Sequence, residues 1–271
     1  MRRSISSEVA MVLASLYFIF PFYWLVVSIT KNTSQLFQKS IAPGVPNYFL
    51  ENVRMVLGYE NGVFYHWLRN SFFYATAGAL VGVFIAALAG FAFRRYEFYG
   101  KRLLFLLILG FAMVPGYATT LPLFMIFKSL RFIDTPWAIL FPSFVNVFGV
   151  YLMVTYWNQV PQELFDAAEI DGASDFLVFF RIGFPSIATG FVTLALLAFV
   201  GVWNNFFLPL VMLNSRARMP LILGITTITD PQGFPVYNLT LTASFFTILP
   251  LLVIFVVFQR FFRPQLYAGL H

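Results

Sequence analysis

The 271-residue chain contains no cysteine and only two histidines, which excludes disulfides, thiolate chemistry and cysteine-based metal sites. Charge is scarce as well: 10% of the residues are Asp, Glu, Lys or Arg, against roughly a quarter in an ordinary soluble domain. So little charge cannot solvate a globular surface of this size. Six long runs, 9–29, 70–93, 103–127, 137–157, 185–211 and 240–259, hold no Asp, Glu, Lys or Arg at all. Ion- and proton-coupled transporters generally place ionisable groups inside the bilayer, so this absence counts against that mechanism. An intramembrane protease or metalloenzyme would lack its ligands, since His66 and His271 fall outside the runs. No GxxxxGK[ST] phosphate loop surrounds any lysine, so no ATPase site of that type is expected. The net charge of +6 is not gathered into a basic face, and no nucleic-acid partner is expected.

What the chain does have is apolar surface: 60% hydrophobic residues, 36 phenylalanines and a mean hydropathy of +0.80. The bilayer is the matching solvent, and backbone groups in lipid must be satisfied within helices or a closed barrel. Each charge-free run reaches at least 20 residues without alternating, so the runs read as six transmembrane helices and the fold as all-α. The first run is too long for a signal-peptide core and no small-x-small cleavage site follows it, so it is kept as a span. The loop 94–102, "RRYEFYGKR", carries four basic residues and the N-terminus carries Arg2 and Arg3. Basic loops stay in the cytoplasm, which also puts 158–185 and the C-terminal tail there. The segment 30–69 then lies outside, with "YFLENVRMVL" (48–57) as a short helix at the membrane surface. The N-x-[ST] matches at Asn32 and Asn238 read as chance.

The polar groups left within the runs are uncharged: Thr119, Thr120, Ser143, Asn146, Trp203, Asn204 and Asn205. Two readings stand. They either bond neighbouring helices or line a path for a neutral polar solute, with Asn146, Trp203, Asn204 and Asn205 as the path candidates. On a continuous helix, successive residues point about 100° apart, so only one of Asn204 and Asn205 is expected to face such a path.

Four of the eleven acidic residues gather in "FDAAEIDGASDFLVFFRIGFP" (165–185): Asp166, Glu169, Asp171 and Asp175. Pro161 suits the start of a helix, Glu163 and Asp166 its positive N-terminal end, and Gly172 a left-handed stop. Ser174 or Asp175 then caps a second helix. Ala167 and Ala168 give a flat face that a partner can approach closely.

This stretch resembles the EAA motif of binding-protein-dependent ABC importer permeases: EAA, three residues, Gly, nine residues, then I-x-LP. The pattern falls on Asp166-Ala167-Ala168, Gly172, Ile182 and Pro185, with Asp166 in place of Glu and Phe184 in place of Leu. "LRNSFFYATAGALVGVFIAALAGFAFRRYEFYGKR" (68–102) is similar to the start of the permease core. "VWNNFFLPLVML" (202–213) and "VFQRFFRPQLYAGL" (257–270) resemble the MalG-like carbohydrate permeases. The tail departs from that subgroup at Gln265, where Gly is usual, and lacks the terminal basic residue.

The resemblance implies a type I importer permease (MetI-like) fold in a bacterial or archaeal cell membrane. Residues 1–69 would be a first helix and external loop, 70–259 the core with its coupling loop at 158–185, and 260–271 a cytoplasmic tail. It implies four kinds of partner: a second, different permease, a homodimeric or heterodimeric ABC ATPase, an extracytoplasmic solute-binding protein, and membrane lipid. The chain itself would hold no cofactor and hydrolyse no ATP. Contact with the ATPase would fall to Glu163, Asp166, Ala167, Ala168, Asp171, Gly172, Ile182 and Pro185. The solute would be a sugar or oligosaccharide, with a glycerol phosphate or an autonomous secondary transporter as the alternatives.

Overall fold

A computed structural model describes residues 5–38 and 40–259. Arg2, Arg3 and the tail from residue 260 lie outside the described residues. Helices dominate, and among the described residues the β-structure is an isolated bridge between Thr229 and Pro235. The principal helices are α1 (Ile5–Ser28), α2 (Phe49–Gly58), α3 (Val63–Arg95), α4 (Lys101–Ala112), α5 (Gly116–Ser129) and α6 (Trp137–Phe144). They continue with α7 (Val147–Trp157), α8 (Gln162–Ile170), α9 (Asp175–Ser186), α10 (Ala188–Trp203), α11 (Phe207–Met212) and α12 (Tyr237–Phe258).

Four helical stretches are long and apolar enough to cross a membrane, and the number reaches six when each of two bent pairs is one span. Three of the expected spans are not continuous. The third breaks between α4 and α5 with a 98° bend at Met113-Val114-Pro115. A residue before proline is pushed away from helical geometry, and Pro115 has the extended ψ of 126°. The fourth breaks at Val145 and Asn146, both extended, where the Asn146 carboxamide accepts the Gly149 N–H at 2.7 Å and caps α7.

The fifth departs furthest from expectation. It was read as 185–211, but α9 already begins at Asp175, passes through a π-helical turn (Val178–Gly183) and bends by 82° into α10. In an unbroken α-helix the Pro185 ring would collide with the Arg181 carbonyl, and the wide turn lies directly before it. A second break follows at Asn204-Asn205-Phe206. Pro209 in the next short helix would likewise press on the Asn205 carbonyl. The chain stops at Trp203 and restarts at Phe207, with Asn205 Oδ1 accepting the Leu208 N–H at 3.3 Å.

Among the described residues, packing separates two compact units, one from the segment before Trp67 together with 221–252, the other of 67–220 with 253–259. In the first unit, α1 is exposed along most of its length, as suits a helix facing lipid or a partner. The chain after it is tied by buried amides. Asn52 donates to the Ile29 and Lys31 carbonyls at 3.0 and 2.9 Å, and Asn238 donates to Asn52 Oδ1 at 2.7 Å. Thr33 completes the network by donating to Asn238 Oδ1 at 2.8 Å. The expected helix at 48–57 is present as α2. Both N-x-[ST] asparagines have packing roles: Asn238 is buried in this network, and Asn32 caps Thr33–Leu36 through a reciprocal capping box with Gln35.

The second unit is built on α3. Gly78 and Gly82, four residues apart, let it approach α6 so closely that a Cβ on either would stand 2.8 Å from an atom of Ser143. Tyr74, Phe127, Ile139, Leu140, Leu208 and Met212 close a buried core. Asp134 clasps the loop after α11 by accepting the Asn214 and Ser215 N–H groups at 3.0 and 2.9 Å, as well as the Ser215 hydroxyl and Arg218. Burial raises the Asp134 pKa, but these donors outweigh it and hold the carboxyl below the usual carboxylate range.

Candidate functional site

The 158–185 loop folds as two helices around a Gly172 turn. Helix α8 starts after the extended Pro161 and ends in a Schellman motif. Gly172 (φ +71°) donates to the Glu169 carbonyl at 3.1 Å, and Ala173 donates to the Ala168 carbonyl at 2.9 Å. Of the two capping candidates, Ser174 caps α9, its hydroxyl accepting the Leu177 N–H at 3.4 Å.

The paired-alanine face is corrected. Ala168 turns inward with Phe165, and Ala167 alone of the pair is exposed, flanked by Leu164 and Ile170. The apolar positions at helical spacing divide between two surfaces, because Phe165 must bury its ring. Glu163, Asp166, Asp171, Gly172 and Pro185 are exposed and Ile182 is half-buried.

Two of the four clustered carboxylates pair with a cation of their own chain. The Arg95 guanidinium, at the end of α3, pairs with Glu169 at 3.1 Å and with Asp175 at 3.1 Å, so it bridges the two sides of the Gly172 turn. The Tyr96 hydroxyl donates to Asp175 at 2.5 Å. The Tyr96 bond and then the Arg95 bond hold the Asp175 carboxyl below its ordinary pKa. Arg94 donates to the Val160 carbonyl at 3.2 Å and lies over the Phe165 ring at 5.1 Å. Gln162 donates to Asp166 at 2.9 Å within α8.

Under the loop, Trp157 packs on Phe91 (5.0 Å between centroids), Phe179 (5.6 Å) and Phe165 (6.4 Å), and its indole N–H donates to the Ala87 carbonyl at 3.1 Å. Sequence reasoning used Arg94 and Arg95 only as topology charges and passed over Tyr96 and Trp157. The available signal was charge complementarity between "RRYE" and the acidic loop, and it names no pairing.

The second feature is a cavity of about 1270 Å³ within the same unit. It lies where the three interrupted spans break, and Val114, Tyr117, Thr119, Thr120, Asn146, Asn204 and Asn205 are among its lining residues. Among the described residues lining it there is no Asp, Glu, Lys, Arg or His. Both Asn204 and Asn205 line it, contrary to the expectation for one continuous helix, because the chain is not helical between Trp203 and Phe207. Trp203 does not line it. Its ring is buried, stacked on Phe199 at 5.6 Å and edge-on to Phe72 at 5.0 Å, and its N–H has no partner among the described residues.

The family described as "Binding-protein-dependent transport system inner membrane component" matches residues 78–266. The chain belongs to this family. The matched part of this transport component takes in the whole 158–185 loop and every residue lining the cavity. It is 33% identical over 210 residues to the arabinooligosaccharide transport permease AraQ of Halalkalibacterium halodurans, covering 78% of this chain and 75% of the relative. Its likeness to the Bacillus subtilis AraQ is 28% identity, covering 94% of this chain and 91% of the relative. To the trehalose/maltose permease MalG of Thermococcus litoralis it is 28% identity, covering 95% and 93%. A solved bacterial ABC transporter involved in import of the acidic polysaccharide alginate shares the fold at a TM-score of 0.84 and 20% identity, covering 95% of each chain. The all-α, multi-pass architecture expected from composition is thus the architecture of an importer permease.

Proposed function

We propose that this permease forms half of the translocation path for a neutral sugar or oligosaccharide, and that a separate ATPase drives it through the loop at 158–185. The cavity carries the reading. Its polar groups are hydroxyls and amides without an ionisable carboxylate, ammonium, guanidinium or imidazole, which suits polyhydroxylated solutes and gives a phosphate or uronate no counter-charge. The permeases named for arabinooligosaccharides, lactose and trehalose/maltose among its relatives support the same class. Asn146, Asn204 and Asn205 are the path residues on this view. Asn146 and Asn205 use their carbonyl oxygens to accept the Gly149 and Leu208 N–H groups, which leaves their amide N–H groups as the donors for a solute. Trp203 does not line the cavity and is left out of the path.

Coupling falls to the exposed side of α8, with Glu163, Asp166 and Ala167 contacting the ATPase and Asp171 and Gly172 closing the turn. Ala168 turns inward beneath α8, and Ile182 and Pro185 complete the coupling set at the far end of the loop. The partners are a second, different permease, a homodimeric or heterodimeric ABC ATPase and an extracytoplasmic solute-binding protein. The complex sits in a bacterial or archaeal cell membrane with both termini cytoplasmic. The contacts of Arg94 and Arg95 with the acidic loop support one common side for 94–102 and 158–185.

Co-expressed with its partner genes, the permease should co-purify with an ATPase. Proteoliposomes of the complex should take up a neutral oligosaccharide only with ATP and the binding protein. Uptake that persists without the ATPase overturns the reading.

The path assignment has its own test. Asn204→Ala and Asn205→Ala should leave assembly and ATP hydrolysis near wild type while lowering uptake or shifting sugar preference by roughly tenfold, the loss of one or two good solute hydrogen bonds. A loss of assembled complex in proportion to uptake returns both residues to a purely structural role.

A further inference from the structure

The exposed pairing at the end of α3 is more elaborate than stability requires. Arg95 is 19% exposed, Glu169 68% and Asp175 43%, so both carboxylates stand largely in water, where an ion pair contributes only modestly to folding. Yet "Arg94-Arg95-Tyr96" holds the loop at four points: the Val160 carbonyl, the Phe165 ring, Glu169 and Asp175. These points lie before α8, within it, at its end and at the start of α9, so the grip fixes α8 and the Gly172 turn together. Tyr96 is itself held, because Lys101 donates to its carbonyl at 3.1 Å and pairs with Glu97 at 2.6 Å.

The other end of the connection is on the same helix. Ile85 and Ala86 of α3 line the cavity, and Ala87 receives the Trp157 N–H. They stand nine and ten residues before Arg95, a separation of about 14–15 Å at the rise of an α-helix. One unbroken helix therefore carries both the grip on the loop and a wall of the cavity.

We propose that Arg94, Arg95 and Tyr96 form a handle that passes movement of the coupling loop into α3 and so to the cavity wall, with Arg95 as the central positioning residue. This rests on the coupling role given above to the 158–185 loop. A lever requires a rigid element with a fixed attachment, and both are present. The arginine fork suits the task because a single planar cation reaches two carboxylates on opposite sides of a turn, which a lysine ammonium does less well.

The test uses the whole complex in proteoliposomes. Arg95→Gln should still co-purify with the ATPase, with basal ATP hydrolysis near wild type, while solute moved per ATP falls by about tenfold or more, the size of a typical coupling effect. Arg95→Lys should recover part of the loss. The double variant Glu169→Gln/Asp175→Asn should reproduce Arg95→Gln, because it removes the same grip from the loop side. Wild-type transport per ATP in Arg95→Gln overturns the handle, and so does a loss that merely follows the amount of assembled complex. A wild-type complex that transports without ATP overturns the coupling reading itself, a result distinct from coupled transport that ignores Arg95.

Discussion

Gly172→Val should lower ATP-driven uptake by roughly 5- to 150-fold while Gly172→Asn retains much of it. Gly172 holds φ +71° at the end of α8, a left-handed conformation that β-branched residues rarely adopt. A Cβ there would meet nothing within 4 Å, so crowding plays no part and the backbone alone decides the outcome. Strain of this kind is on the order of 1–3 kcal/mol, which converts to roughly a 5- to 150-fold loss of the correctly turned loop. The Schellman bonds from Gly172 and Ala173 go with it, and so does the spacing that brings Glu169 and Asp175 to one guanidinium. Asparagine visits the same region readily and should keep the turn. The measurement is uptake together with ATPase co-purification for both variants. If valine and asparagine behave alike, the turn is not what positions the loop.

Gly183→Ala acts by the opposite physics, and should lower the yield and thermal midpoint of the folded permease. A Cβ at Gly183 would lie 1.9 Å from Trp157 Cη2 and 2.2 Å from Cζ3, inside any tolerable contact. The ring cannot swing aside cheaply. Trp157 is fully buried, bonded to the Ala87 carbonyl and packed against Phe91, Phe165 and Phe179. Overpacking a core by one methyl typically costs about 1–3 kcal/mol and here falls at or beyond the upper end. Trimming the ring should restore part of the loss, so Gly183→Ala/Trp157→Phe is expected to unfold at a higher temperature than Gly183→Ala alone. Thermal unfolding of the detergent-solubilised permease checks both. An unchanged midpoint in Gly183→Ala rules out the tight seat of the π-helical turn on Trp157.

The two glycines illustrate what is legible in a sequence and what is not. Gly172 was readable, because a helix stop is a local event set by a handful of neighbouring residues. Gly183 carries no local signal; its necessity comes from a tryptophan 26 residues earlier in the chain. The same contrast runs through the candidate site. The acidic loop was legible as a helix–turn–helix from its caps, while the identity of its cation was not, because Arg95 lies 74 and 80 residues away from its partners.

By itself the sequence determined the membrane class, the position of the six apolar runs and the two-helix form of the loop. Composition, run length and capping chemistry act over short distances and need no fold. Tertiary structure decided where three of those runs break, that Ala168 and Trp203 turn inward, and that Asn146, Asn204 and Asn205 share one cavity. The physical reason is the solvent. In water, polarity separates the buried face of a helix from the exposed one, but in lipid both faces are apolar, so periodicity cannot say which side packs against protein. Only the close approach of helices distant in sequence settles that.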